Sequence, residues 1–337
     1  MSVIRQDLIT RDWTIFATER AKRPKYECSV VKKEQVKDEY VENCPFCKGN
    51  ENMTPKEIFS VKEGDDWKVR VVPNKYPALE EKGVSSGATD RHIKGIHLYM
   101  DGVGRHEVII ESPKHNDNLA TVKLEQVEKV VLTYRQRFIE LSKNEDYQLI
   151  VIFKNYGVRA GTSLEHPHSQ IVATPFIPCY VRNKLLESQI YFDDFGRCVF
   201  CDTIQYEIRD KKRIICENED FIAFAPYAST VPYNVKILPR KHESCFGSIS
   251  EKDAKSLASI LRIILQKLYY LLDNPEYNYV IDSSPIDKSG ERSYHWHLNI
   301  LPRLTTRAGF EIGSGININT VLPENCAKLL RRIKIRP

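Results

Sequence analysis

The sequence predicts an α+β fold built twice in tandem, with mainly antiparallel sheets flanked by helices. Three observations predict it. A set of chemically distinctive residues occurs twice in the same order, each copy lies among short apolar strands, and each contains one long amphipathic helix. The first copy reads Cys44-Pro45-Phe46-Cys47, then Ser112-Pro113-Lys114-His115, then His166-Pro167-His168. The second reads Cys198-Val199-Phe200-Cys201, then Pro239-Arg240-Lys241-His242, then His295-Trp296-His297. His115 precedes His166 by 51 residues, and His242 precedes His295 by 53. Six of the nine histidines and four of the nine cysteines fall into this scheme. Chance explains that badly and duplication of one unit explains it well.

The elements follow in order. Trp13-Thr14-Ile15-Phe16-Ala17 is a strand after a polar turn, and residues 21–43 are charged, Pro-containing loop. Lys68–Val72 alternates and stops at Pro73, as a strand would. Residues 80–103, with Gly83-Val84-Ser85-Ser86-Gly87, suggest a mobile loop. His106–Glu111 is a strand, and Val122–Leu141 has apolar residues at helical spacing. Tyr147–Phe153 is a strand leading into Asn155-Tyr156-Gly157. The second half repeats the order with strands at 221–225 and 234–238, a helix over 251–272, and strands at 277–281 and 295–301. Residues 176–197 form the junction, dividing the chain into domains 1–180 and 181–337.

Composition narrows the class. The chain has 337 residues and is 42% hydrophobic, enough for two ordinary cores. The amino-terminal residues lack a signal peptide's apolar stretch, and no run of about 18 apolar residues suggests a membrane span. Nine cysteines, several at metal-like spacing, fit a reducing cytoplasm better than a disulfide framework. The net charge of +5 allows an anionic small substrate, but no dense basic tract points to nucleic acid.

Each copy offers two cysteines and two histidines, the donor set of a closed tetrahedral zinc site. The ligand sets are Cys44, Cys47, His115 and His166, then Cys198, Cys201, His242 and His295. A redox Cys-x-x-Cys is the competing reading. It gives no reason for downstream histidines to recur at matching intervals. Cys28, Cys179, Cys216, Cys245 and Cys326 are scattered and read as ordinary reduced residues.

Glu165-His166-Pro167-His168-Ser169-Gln170 opens the apolar run Ile171-Val172-Ala173, so it reads as a strand. Alternate side chains of a strand share a face, which would align His166, His168 and Gln170. That arrangement suits a metal ligand, a nucleophile and a donor to a phosphate oxygen. A single His-x-His is as often an exposed or core pair; the repeat is what argues for function. The second copy, His295-Trp296-His297-Leu298-Asn299, lacks the glutamine and any counterpart of Gly161-Thr162-Ser163, so His168 is the expected reactive residue and His297 a site-lining one.

Taken together, Arg20-Ala21-Lys22-Arg23-Pro24, Cys44-Pro45-Phe46-Cys47, Pro73-Asn74, Ser112-Pro113-Lys114-His115, Asn155-x-Gly157, Ser163-x-x-His166-Pro167-His168-x-Gln170 and Gly309-Phe310-Glu311-Ile312-Gly313 resemble galactose-1-phosphate uridylyltransferase, of the histidine-triad superfamily. The resemblance spans nearly the whole chain. It implies tandem histidine-triad-like domains and ping-pong exchange of a uridylyl group between UDP-glucose and galactose 1-phosphate. His168 would be the nucleophile, with Gln170, Ser163 and Asn155 on the transferring phosphate. Arg20, Arg23 and Asn74 would lie near the nucleotide, and Phe310, Glu311 and Gly313 near the hexose phosphate. The zinc ions would be structural and the enzyme a cytoplasmic homodimer, with neither nucleic acid nor membrane as partner. Asn74 could instead cap the turn after Pro73, Arg20 and Arg23 could belong to a solvated loop, and Gly309–Gly313 could be an ordinary turn.

Two alternatives stay open. Ser169 and both Cys pairs also match a plant relative that resembles an ADP-sugar phosphorylase. An ADP-sugar or dinucleotide phosphorylase with the same histidine chemistry is therefore the second reading. A zinc-stabilised nucleotide-binding module without turnover is the third.

Overall fold

A computed structural model of the chain describes residues 2–22, 38–81, 91–288 and 290–335. Arg23, Pro24, Cys28 and residues 83–87 lie outside the described residues. The first half contains β1 (Val3–Gln6), β2 (Trp13–Phe16), β3 (Phe59–Glu63), β4 (Asp66–Pro73), β5 (His92–Lys94), β6 (His97–Tyr99), β7 (Arg105–Ile110), α1 (Leu124–Leu141), β8 (Leu149–Tyr156) and β9 (His168–Thr174). Then come α2 (Cys179–Phe195), α3 (Val199–Asp210), β10 (Ile214–Glu217), β11 (Phe221–Phe224), β12 (Val235–Pro239), α4 (Glu251–Leu272) and β13 (Tyr277–Asp282). The chain ends with β14 (His297–Pro302), α5 (Gly309–Ser314), β15 (Asn317–Asn319) and α6 (Pro323–Arg332).

Ten strands form one antiparallel sheet in the order β10-β11-β12-β14-β13-β8-β9-β7-β4-β3. The order is a palindrome: exchanging β8 with β13, β9 with β14, β7 with β12, β4 with β11 and β3 with β10 returns the same sheet. A pseudo-twofold axis therefore passes between β8 and β13, where Phe153 faces Val280. The duplication read in the sequence is a single continuous sheet in three dimensions. β1, β2 and β15 make a separate three-stranded sheet.

The sheet alternation assigns its two faces. Ile152, Ile171, Tyr279, Leu298 and Ile237 are buried on one side in the main core, under α1 and α4. α1 buries Val127, Val130, Val131, Tyr134, Phe138 and Leu141, the three- and four-residue spacing of one helix face. α4 starts where Ser250 and Asp253 bond reciprocally to each other's backbone N–H groups. On the opposite face, Val72, Val108 and Ile110 pack with Cys44, Phe46 and Cys47 in the first half. Ile222, Phe224 and Leu238 pack with Cys198 and Phe200 in the second. Both Cys pairs thus lie on the face away from the long helices.

Four local expectations need correction. Residues 92–99 are not loop but the β5–β6 hairpin, turned at Gly95 with φ +64°. The junction is mostly the helix α2, ended by Gly196 in the left-handed conformation. β9 and β14 begin at His168 and His297, two residues later than expected, so His166 and His295 precede their strands. Gly309–Ser314 is a short helix rather than a turn.

Candidate functional site

The two Cys/His sets come together as the spacing predicts. The ligand atoms of Cys44, Cys47, His115 and His166 lie within 4.8 Å of one another, as do those of Cys198, Cys201, His242 and His295. Cys47 Sγ is 3.6 Å from both His115 Nδ1 and His166 Nδ1. Cys201 Sγ is 3.3 Å from His242 Nδ1 and 3.6 Å from His295 Nδ1. A tetrahedral ion with sulfur at about 2.3 Å and nitrogen at about 2.05 Å separates those two ligand atoms by about 3.6 Å. Both sets therefore fit a metal ion. His166 Nε2 lies 2.8 Å from the Ser112 carbonyl, which can only accept, so Nδ1 is the bare nitrogen that faces the sulfur. Burial pushes His166 down to about 4, which keeps it neutral, as a ligand must be.

His168 stands beside the first cluster and is buried. Its Nδ1 donates to the His166 carbonyl at 2.8 Å. Nε2 then keeps its lone pair, and among the described residues it has no partner. The cluster fixes His166, and the His166 carbonyl fixes the tautomer and tilt of His168. The Phe46 ring meets His168 edge-on at 5.3 Å. Burial, with the Lys154 charge adding to it, holds His168 below its ordinary value, so the ring is neutral at pH 7.

Behind His168, on the helix side of the sheet, lies a buried polar network. Lys154 Nζ donates to the His168 carbonyl at 3.1 Å and pairs with Glu111 at 2.5 Å. Tyr134 OH reaches Glu111 at 3.0 Å, Ser169 Oγ at 2.7 Å and Tyr279 OH at 2.5 Å. All five side chains are buried. The only sequence signal for Lys154 was a charge closing the apolar run Leu149-Ile150-Val151-Ile152-Phe153.

Gln170 shares the His168 face of β9 and accepts at Oε1 from His106 Nε2, 2.8 Å away. Ala78 N–H donates to His106 Nδ1 at 3.1 Å, which puts the ring proton on Nε2. With Oε1 used, Gln170 offers its NH₂ group. Asn74 stands 3.1 Å from the same His106 nitrogen, and its Oδ1 accepts from Tyr76 N–H at 2.9 Å. Asn74 is therefore a turn cap that stands beside His106. Sequence reasoning missed His106 and Phe46; the recurrence of Phe in both Cys-x-Phe-Cys pairs was the available signal for the latter.

Asn155 receives Asn278 Nδ2 at 2.7 Å across the pseudo-twofold axis, and Asn278 also donates to Ala160 O at 2.8 Å. These bonds hold the turn after β8. Gly157 has φ +88°, and a Cβ there would lie 2.2 Å from Glu276 Cγ, which explains the glycine. Ser163 is exposed in the loop before β9, and Arg20 is exposed on the turn Thr18–Lys22. Phe310 and Gly313 are exposed on α5. Glu311 is turned inward on its own helix, where its carboxylate accepts from Ala308 N–H at 2.9 Å and Ile318 N–H at 3.3 Å. None of Ser163, Arg20, Phe310, Glu311 and Gly313 is joined to His168 by a hydrogen bond among the described residues.

The second half repeats the geometry with different partners for its second histidine. His297 Nδ1 lies 3.2 Å from the His295 carbonyl, and Nε2 faces Asp282 Oδ2 at 3.4 Å. Lys184 from α2 holds Asp282 at 2.8 Å. Both ring nitrogens are thus engaged, where His168 leaves one bare. Asn299 takes the place of Gln170 and receives Asn234 Nδ2 at 2.7 Å, as Gln170 receives His106.

Residues 1–178 match the model of the galactose-1-phosphate uridyl transferase N-terminal domain, and residues 184–334 match that of its C-terminal domain. The chain belongs to the galactose-1-phosphate uridyl transferase family. An ADP-glucose phosphorylase of Arabidopsis thaliana is 36% identical over 98% of this chain and 93% of its own. A galactose-1-phosphate uridylyltransferase of Thermotoga maritima is 27% identical over 99% of each. The crystal structure of an ADP-glucose phosphorylase from Arabidopsis thaliana with bound ADP-glucose superposes with TM-score 0.86, 33% identity and full coverage of both chains. Family members are nucleotidyltransferases and phosphorylases, and this chain is such an enzyme. Among the described residues no helix is long and apolar enough to cross a membrane.

Proposed function

We propose that this family member moves the nucleoside monophosphate of a nucleotide sugar to an acceptor through a covalent bond to His168. The observation that carries the reading is the His168 tautomer: Nδ1 is tied to the His166 carbonyl, which leaves a neutral Nε2. Nε2 attacks the α-phosphorus, the P–N bond forms, and the sugar 1-phosphate departs. The acceptor's phosphate oxygen then displaces His168 and restores it. Gln170 NH₂ and the Ser163 hydroxyl meet charge on the phosphoryl oxygens, with Asn155 aligned beside them. Arg20, Arg23 and Asn74 attend the nucleotide and its phosphates. The metal in both Cys/His sets is zinc, held closed and structural, and the first set aims His168 rather than joining the reaction. A reducing cytoplasm keeps those thiols available.

For donor and acceptor we favour an ADP-sugar and inorganic phosphate. The 36% identity to an ADP-glucose phosphorylase exceeds the 27% to a uridylyltransferase. Glu311, expected near an acceptor hexose phosphate, has its carboxylate engaged instead by the Ala308 and Ile318 backbone N–H groups. The second reading is uridylyl transfer from UDP-glucose to galactose 1-phosphate. It rests on both domain matches and on the strings around His168, and it needs α5 to release Glu311 and to present Phe310 and Gly313 to the sugar. We also propose a homodimer, in which the second copy covers the exposed Phe310 and Ile312 of α5.

The test forms the nucleotidyl enzyme from ADP-glucose and, separately, from UDP-glucose, then chases each with phosphate or galactose 1-phosphate. Labelling by ADP-glucose and discharge by phosphate is expected. Labelling by UDP-glucose and discharge only by galactose 1-phosphate would establish the second reading. No mass gain from either donor would leave a binding module.

A further inference from the structure

We propose that the second half carries a ligand site of its own, which binds a nucleoside monophosphate without reacting with it. A cavity of about 830 Å³ opens between α3, the Asp7–Ile9 turn and the sheet. That is ample for a nucleotide. Its floor is formed by Phe224 of β11 with Lys236 and Leu238 of β12. Phe224 faces Lys236 as Val72 faces Val108 in the first half, so the floor is the pseudo-twofold counterpart of the surface beside Gln170.

The lining fits a planar ring with an attached anion. Tyr206 and Tyr227 are half exposed on the walls, and the Arg213 guanidinium lies over both rings, at 5.7 and 5.3 Å. Flat π-faces of this kind stack bases. Glu207 is buried; its Oε1 receives Arg213 Nε at 3.0 Å while its buried Oε2 has no partner. Lys236 is the cation of the floor, held only loosely by Asp7 at 3.7 Å. It suits a phosphate.

The His168 counterpart, His297, holds no bare ring nitrogen for transfer: one lies against a backbone carbonyl and the other against Asp282. The cavity therefore binds and does not transfer. α3 joins it to the second cluster, because that helix carries both Cys201 and the cavity wall Thr203-Tyr206-Glu207.

The test titrates the metal-loaded full chain with AMP by calorimetry, alongside Thr203→Trp, which fills the cavity from α3. One AMP per chain is expected to disappear in Thr203→Trp while covalent labelling of His168 persists. Lys236→Met is expected to weaken that AMP about tenfold, the usual worth of a charge-assisted hydrogen bond. An unchanged AMP stoichiometry in Thr203→Trp overturns the proposal. Should that variant not fold, 8-azido-AMP on the unaltered chain decides: a crosslink on the Tyr206 or Tyr227 peptide supports the site, and crosslinks confined to the first half refute it. Neither readout depends on turnover or on which acceptor the enzyme uses.

Discussion

His168 and Lys154 show how a single side chain is oriented from both faces of a sheet. His168 is oriented from above by the His166 carbonyl and from below by Lys154, through its own carbonyl. Replacing Lys154 by Met leaves Glu111 buried and unpaired, and should cost roughly 3–5 kcal/mol of unfolding free energy. Lys154→Met with Glu111→Gln removes both charges and should recover most of that loss. Denaturant melts of the two variants check this; equal melting of both would deny the pair its structural role. His168→Gln should abolish covalent labelling with fold and metal content intact, whereas His297→Gln should keep it, since Asp282 already engages His297. Interchanged results would put the nucleophile in the wrong half. The pH dependence has a definite sign. His168 lies below its ordinary value, so the free base persists on acidification below about 6.5, and the single-turnover labelling rate should fall only at lower pH. An acid limb centred above 6.5 would contradict the buried neutral ring. Sequence made His168 and the eight Cys and His residues of the two clusters legible because repeat spacing is visible in one dimension, and Gln170 because alternate strand residues share a face. It hid Lys154, His106 and Tyr134 because their importance comes from cross-strand and helix-to-sheet partners that spacing does not encode.

Elements hold these residues through a few termini and turns. β9 begins at His168 because Pro167 cannot donate to a neighbouring strand, while the Pro167 carbonyl still accepts from Glu111 N–H at 3.0 Å. Cys44 anchors the segment that carries Phe46 against His168, so Cys44→Ser should lower metal content from two ions per chain to one and lower thermal stability. Elemental analysis of the purified variant checks the first; two ions retained would exclude Cys44 as a ligand. Gly157→Ala faces both a positive φ and the Glu276 side chain. It should displace the 158–163 loop and slow labelling, with the bulk of the fold intact by circular dichroism. The long helices and most of the strands of the large sheet were legible from periodicity. α2 was not, because its pattern is inverted: it buries Lys184 and Ser188 while Leu186, Ile190 and Phe195 are exposed. Lys184 is underneath because Asp282 is there to receive it. α5 was equally opaque, since Gly309 and Gly313 argue for a turn, while the Glu311 carboxylate closing on Ala308 N–H stabilises a helix start that spacing does not encode.

At the scale of the molecule, the proposed division into 1–180 and 181–337 meets a single sheet. The sequence showed two copies in order, but not that β8 and β13 would pair, because no turn or local pattern links strands so far apart in the chain. That pairing is more than an edge contact. Tyr156 stacks on Tyr277 at 5.1 Å, Asn278 bonds Asn155, and Tyr134 of the first half meets Tyr279 of the second. α1 and α4 share one continuous core beneath both halves. Cutting at 180/181 would expose an unpaired central strand and a broad apolar face on each fragment, the conditions for aggregation rather than independent folding. Fragments 1–180 and 181–337 should each be insoluble or unfolded when expressed alone. Co-expressed, they should assemble through β8 and β13 and recover His168 labelling, because every group placed around His168 in the first half is then restored. The intact chain should unfold in one cooperative transition. A soluble 1–180 fragment that melts cooperatively and labels without its partner would show that the halves are independent domains and that the shared sheet adds little to the stability of either.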